Sequence, residues 1–176
     1  YPDADPNRIG MWGHSMGGQV VLRAMVVSPD IKAGVIWAGS VAPYSEIIER
    51  WGRIPEWVNS SNISTSGSGW GRSFGGWIQE FTGAYGRWDE NPSFWATISP
   101  NSYLGDLSGP LELHHSTTDE MVPLSWSETL ARQLEATASQ PFDLYTYAGD
   151  NHNISANFNL AMQRTVEFFD AHVKNQ

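Results

Sequence analysis

Two short runs, "RIGMWG" (Arg8–Gly13) and "AGVIWAG" (Ala33–Gly39), are almost wholly apolar. A strand with one wet face alternates apolar and polar residues; a run without alternation suits a strand covered on both faces, as in a parallel sheet. Between them lies "MGGQVVLRAMVVSPD", with Val20, Val21, Ala24 and Val27 near helical spacing and Ser28-Pro29-Asp30 as a stop signal. Strand, helix and strand in that order predict a parallel crossover unit. The pattern resumes at "PLELHHS" (Pro110–Ser116), a strand, and "PLSWSETLARQLEAT" (Pro123–Thr137), a helix with proline in its first turn. "FDLYTYAG" (Phe142–Gly149) reads as a strand of period two. "SANFNLAMQRTVEFFDAHVKN" closes the chain as an amphipathic helix with Phe158, Met162, Val166 and Phe169 in one stripe. Regular alternation of this kind predicts the α/β class, a mostly parallel sheet flanked by helices.

The 176 residues suit one domain, 1–176, interrupted over about 41–109 by an insertion rich in tryptophan and glycine. Trp51, Trp57, Trp70, Trp77, Trp88 and Trp95 all fall there, six of the nine tryptophans in the chain. Short helices are predicted around Ser45–Trp51 and Trp77–Ala84, and the run "SSNISTSGSGWGRSFGG" reads as a flexible loop. The aromatics suit either a surface decoration packed on the core or the wall of a binding cleft.

Formal net charge is −9. That argues against nucleic acid or an anionic membrane as the main partner. There are no cysteines, which excludes disulfides, thiolate nucleophiles and thiolate metal sites, and leaves the compartment open. No apolar run approaches the roughly 18 residues of a transmembrane helix. The chain opens on Tyr1 and reaches its first strand almost at once, so it reads as a piece of a longer protein. Sequons at Asn59, Asn62 and Asn153 matter only in a glycosylating host.

The stretch Gly13-His14-Ser15-Met16-Gly17 matches G-x-S-x-G. Chance alone supplies such a match in roughly 6% of chains this long, so the pattern is weak without context. Here a predicted strand precedes it and a predicted helix follows, as a nucleophile elbow requires. Gly13 and Gly17 are expected to serve the tight turn and close approach of its neighbours, and Gly18 to ease the chain into the helix. Ser15 would then sit at a helix N-terminus, where the Met16 backbone N–H supplies one oxyanion donor.

A serine hydroxyl needs a base, and a neutral imidazole needs an orienting carboxylate. His152, in the loop "YAGDNHNIS" after the last strand, is the preferred base. His14 is adjacent to Ser15 and is expected to point away from the turn. His114 and His115 lie on a strand and read as structural or cleft-lining, and His172 as a surface residue of the last helix. Asp119, in "HHSTTDEMVP", is the preferred carboxylate, with Glu120 as rival. Asp150 is too near His152 in sequence to orient it easily and suits a loop-shaping role. Ser15, Asp119 and His152 each follow their own strand, in the order Ser, Asp, His. The substrate contacts are left open, with His14, Trp88 and Trp95 as candidates. No metal or other cofactor is called for.

On these motifs the chain resembles the C-terminal part of an α/β-hydrolase, closest to the prolyl-oligopeptidase-like (S9-type) serine hydrolases. "DPNRIGMWGHSMGG" is similar to their nucleophile strand and elbow, "NPSFWATISPNSYLGDLSGPLELHHSTTDEMVP" to the segment leading to their acid residue, and "GDNHNI" to their histidine loop. The resemblance implies hydrolysis of peptide or carboxylic ester bonds through a Ser–His–Asp triad and an acyl-enzyme, acting on a small-molecule or peptide substrate. The elbow "GHSMG" is common in esterases and lipases, and Ser116 stands where the family usually has glycine. Carboxylesterase activity, or a non-catalytic binding domain on the same scaffold, are the alternatives. The early strands of that fold, with the second oxyanion donor, are expected upstream of Tyr1. The first strand would then have an open edge, and the 176 residues alone are expected to be inactive.

Overall fold

A computed structural model describes residues 5–51, 78 and 80–175. In chain order the elements are β1 (Ile9–His14), α1 (Met16–Val27), β2 (Ile31–Trp37), α2 (Tyr44–Trp51), α3 (80–85), α4 (Pro92–Thr97), β3 (Leu111–Ser116), α5 (Leu124–Thr137), β4 (Phe142–Tyr147) and α6 (Phe158–Phe169). Short 3₁₀ turns over Pro100–Asp106 lead into β3, and a π-helical turn, Asp170–Lys174, follows α6. The run "SSNISTSGSGWGRSFGG", Trp57, Trp70, Trp77 and the sequons at Asn59 and Asn62 lie outside the described residues. The chain divides into two units, Tyr1–Ala42 with Pro100–Gln176, and Pro43–Ser99.

In the first unit the described strands form a parallel sheet of order β1-β2-β3-β4, with α/β-hydrolase architecture. β2 shows why its sequence does not alternate. Ala33, Val35 and Trp37 join Ala161, Phe168 and Val173 in one cluster on the α6 face. Gly34 and Ile36 face the other way: a side chain added at Gly34 would strike Met25, and Ile36 meets the start of α1 at Gly18. Both faces are dry, so both parities are apolar. β3 is buried along its whole length for the same reason. Burying each large aliphatic side chain there stabilises by about 2 kcal/mol.

The helical stripes differ from those expected. α1 buries Gly18, Gln19, Val21, Leu22 and Met25, while Val20 and Val27 are exposed. α6 buries Ala161, Thr165 and Phe168, with Met162 and Phe169 partly covered and Phe158 and Val166 exposed. Each helix is apolar over an arc wider than its buried stripe, so spacing alone admits more than one inward face. On α6 a polar contact marks the choice: the Trp37 indole N–H donates to Thr165 Oγ1 at 3.0 Å inside the core. The last helix also starts later than its sequence suggests, because Ser155, Ala156 and Asn157 belong to the preceding loop.

The second unit has its own aromatic core. Ile48, Ile78 and Trp95 are buried together, with Tyr44, Phe81, Trp88 and Phe94 against them. The Asn91 side chain caps α4 by accepting from the Phe94 N–H, and Tyr85 stacks on Phe94 with ring centroids 4.0 Å apart. α2 coincides with the helix expected around Ser45–Trp51, and α3 overlaps that expected near Trp77–Ala84 and ends one residue beyond it. No helix among the described residues is long and apolar enough to cross a membrane.

The close approach that shapes the β1–α1 turn falls on Gly13 and Gly18. A Cβ at Gly13 would strike the Gly17 carbonyl and Val21, and one at Gly18 would lie 2.7 Å from Ile36 and 2.8 Å from Gly39. At Gly17, expected to be equally constrained, no described atom comes within 4 Å of an added Cβ. Gly13→Ala should therefore destabilise the protein by about 1–3 kcal/mol, as overpacking against backbone does. Gly17→Ala should be neutral or slightly stabilising. Urea denaturation midpoints check both, and equal losses would contradict this assignment.

Candidate active site

Ser15 sits between β1 and α1 in a conformation a non-glycine residue seldom takes, φ 56° and ψ −119°. Such backbone costs about 1–3 kcal/mol and persists only when the surroundings impose it. Here the Ser15 N–H donates to the Trp37 carbonyl at 2.9 Å, and the Ser15 carbonyl accepts from Gly18 N–H at 3.0 Å and Ser40 N–H at 2.9 Å. The end of β2 and Ser40 just beyond it thus hold the turn at both of its main-chain polar groups. Met16 is the first residue of α1, so its N–H has no carbonyl one turn back to bind.

Asp119 and His152 meet across the loops that follow β3 and β4. The His152 Nδ1–H donates to both carboxylate oxygens of Asp119, at 2.8 and 3.0 Å. Asp119 Oδ1 also accepts the Met121 and Val122 amides, at 2.8 and 2.9 Å. Burial works to raise the pKa of Asp119, but the hydrogen bonds from His152, Val122 and Met121 outweigh it and hold the carboxyl below the usual aspartate range. With Nδ1–H donating to Asp119, Nε2 is the ring nitrogen that the neutral tautomer offers as an acceptor. Among the described residues no hydrogen bond joins Ser15 Oγ to this imidazole.

Glu120, the rival carboxylate, has a different partner: its Oε2 accepts the main-chain N–H of His152 at 3.1 Å. The adjacent acids therefore divide the histidine, one taking its ring and the other its backbone. Asp150 folds the histidine loop upon itself. Its carboxylate accepts from the Asn151, Ala156 and Asn157 amides and the Asn157 side chain, all within 3.1 Å. Burial would raise its pKa, yet these hydrogen bonds, Asn157's foremost, depress it. Ser116 Oγ and Thr118 Oγ1 both donate to the Asp150 carbonyl. A glycine at 116 would lack the first of these ties. Nothing in the spacing of Ser116 or Glu120 signals these roles; only the meeting of the two loops does.

His14 does not point clear of the site. Its Nε2–H donates to the His152 carbonyl at 3.0 Å, and the two rings lie 4.7 Å apart. His115 is fully buried, with Nδ1 against Ser127 Oγ at 2.7 Å and Nε2–H on the Val122 carbonyl at 3.0 Å, 3.3 Å from Asp119 Oδ2. Burial lowers its pKa against the pull of Val122 and Asp119. His114, equally buried, bridges Glu112 Oε1 at 2.6 Å and the Tyr147 hydroxyl at 2.7 Å on the α6 face. His172 packs on Phe168. Trp88 and Trp95 belong to the second unit, where Arg87 covers the Trp88 ring and the Trp95 indole N–H donates to the Gly86 carbonyl. Among the described residues no group of three His, Cys, Asp or Glu is placed to hold a metal.

The sequence profile of the prolyl oligopeptidase family matches residues 73–176, more than half of the chain. The chain belongs to the prolyl oligopeptidase family. Solved structures with this fold include a puromycin-hydrolyzing peptidase of Mycobacterium tuberculosis, 20% identical over 97% of this chain and 23% of that one, with a TM-score of 0.65. An acylaminoacyl peptidase solved with Z-Gly-Gly-Phe-chloromethyl ketone is 22% identical over 98% of this chain and 25% of that one, TM-score 0.67. An esterase of Pyrococcus furiosus is 16% identical over 95% of this chain and 54% of that one, TM-score 0.54. The chain thus spans about a quarter of the length of these two peptidases. No curated protein sequence matches it.

Asp119 and Asp150 both have pKa values depressed by folding. Such groups stabilise fully above their unfolded value, about 4, and the contribution is lost as pH falls through the lower folded value. Asp150→Asn should therefore be less stable than wild type from pH 7 to about pH 4, with the gap closing below that. Urea midpoints measured from pH 7 to 2.5 read it directly. A gap that stays constant to the lowest pH would show that the Asp150 charge contributes nothing.

Proposed function

We propose that the protein is a serine hydrolase in which Ser15 attacks a carbonyl carbon, His152 takes its proton and Asp119 orients the imidazole. The observation that carries this reading is the two-oxygen hydrogen bond from His152 Nδ1–H to Asp119, at the strand ends beside the strained Ser15 turn. Ser15 Oγ loses its proton to His152 Nε2 as it adds to the carbonyl. The resulting imidazolium is stabilised by ionised Asp119, and the oxyanion is received in part by the Met16 N–H. Collapse of the adduct releases the amine or alcohol with that proton. Water then repeats the sequence on the acyl-enzyme and regenerates Ser15.

Peptide bonds are the preferred substrate class, supported by membership of the prolyl oligopeptidase family. Carboxylic esters are the second reading, supported by the elbow "GHSMG" and the shared fold of the Pyrococcus esterase. Both reactions use the same three side chains, so they are separated by the substrate and not by the site.

Fluorophosphonate labelling of the intact protein tests the reading. Wild type should label, and Ser15→Ala should not. Asp119→Asn should label slower by on the order of ten-thousandfold, because the wrong tautomer of His152 then faces Ser15. Undiminished labelling of Ser15→Ala would falsify the assignment. Turnover of aminoacyl amides against p-nitrophenyl esters then decides between the two substrate classes, and the absence of both would leave the scaffold a binding module.

A further inference from the structure

Both main-chain polar atoms of His152 are held by side chains, and each holder is the sequence neighbour of another site residue. Glu120, next to Asp119, takes the His152 N–H at 3.1 Å. His14, next to Ser15, donates to the His152 carbonyl at 3.0 Å across 138 residues of chain. The loop carrying His152 is tied to the acid loop several times over, by Glu120 and by Ser116 and Thr118 on the Asp150 carbonyl. To the Ser15 turn its tie is His14 Nε2–H, the one hydrogen bond between those two segments among the described residues.

We propose that His14 is a positioning residue that sets the separation of Ser15 from the His152 imidazole, with Glu120 holding the main-chain N–H on the other side of the His152 Cα. This rests on the reading of Ser15 and His152 as nucleophile and base. The Ser15 turn is rigid, so a strut from its neighbouring residue measures from a fixed point. The donor is the far ring nitrogen of a planar side chain with two torsions, which fixes the reach better than a long flexible amine would. The His14 ring also lies 4.7 Å from the His152 ring, which limits how far that imidazole can swing. Misplacing a reacting group by about 1 Å costs on the order of a hundredfold in rate. Such a strut acts on the chemical step and leaves substrate binding largely alone.

The test is steady-state hydrolysis of p-nitrophenyl acetate and the fluorophosphonate labelling rate, on the intact protein. His14→Leu removes the donor and keeps the bulk; His14→Gln restores an N–H at nearly the same reach. His14→Leu should lower kcat and the labelling rate at least about tenfold with KM changed by less than about twofold, and His14→Gln should recover most of the loss. Glu120→Ala, at an exposed position, should show a smaller loss of the same kind. If His14→Leu does not fold by circular dichroism, His14→Asn, polar but too short to reach, takes its place. Wild-type rates in the donorless variant, equal losses in the Gln and donorless variants, or a loss carried by KM would each overturn the proposal. Ser15→Ala separates the two levels. If it labels like wild type, the hydrolase reading itself is wrong. If it is silent while the donorless variant reacts like wild type, only the strut is wrong.

Discussion

The positive-φ turn at Ser15 depends on the pairing of β1 with β2. A serine left to itself would leave that region of backbone space within a kcal/mol or two of driving force. The Trp37 carbonyl at the end of β2 and the Ser40 amide just beyond it hold the serine's own N–H and carbonyl. The parallel register carries β1 to the same level, with His14 beside Trp37. Packing on both faces of β2 keeps that register, since a slip by one residue would exchange the α1-facing and α6-facing side chains. Local strain at one residue is therefore sustained by long-range order in the sheet.

The remaining groups are arranged by the same geometry. Parallel strands all end at one edge, so the loops after β1, β3 and β4 are brought together without any loop being long. Within that cluster the loops after β3 and β4 are each held by a carboxylate of their own. Asp150 gathers three amides of the histidine loop, and Asp119 gathers two of the acid loop before it meets the imidazole. A carboxylate with several amide donors has its charge stabilised and its orientation fixed together, which suits an acid that must stay ionised beside a histidine. The loops are then cross-linked by Ser116, Thr118, Glu120 and His14.

Strand identity was legible because a strand covered on both faces writes an unbroken apolar run, and "AGVIWAG" is such a run. The turn at Ser15 was legible because glycine is required where backbones nearly touch, although the residues that need it are Gly13 and Gly18 and not Gly17. The inward faces of α1 and α6 were not legible. Each helix is apolar over more than the arc it buries, so the choice between Val20 and Leu22, or between Val166 and Thr165, belongs to the surface opposite. The roles of Glu120 and Ser116 left no local mark, because an exposed acid and a buried serine look alike in sequence whether or not a second loop stands against them.

The α/β class, the order of the strands and the three loops in which Ser15, Asp119 and His152 lie are written in the chain itself. These follow from hydrophobic period, turn chemistry and chain order, all of which are local. Which carboxylate meets the imidazole, that the neighbouring acid holds its backbone, and that His14 reaches across from the serine turn emerge only once the sheet has folded. Those are contacts between residues from 32 to 138 positions apart. Their partners are chosen by where parallel strands end in space, which no local pattern encodes.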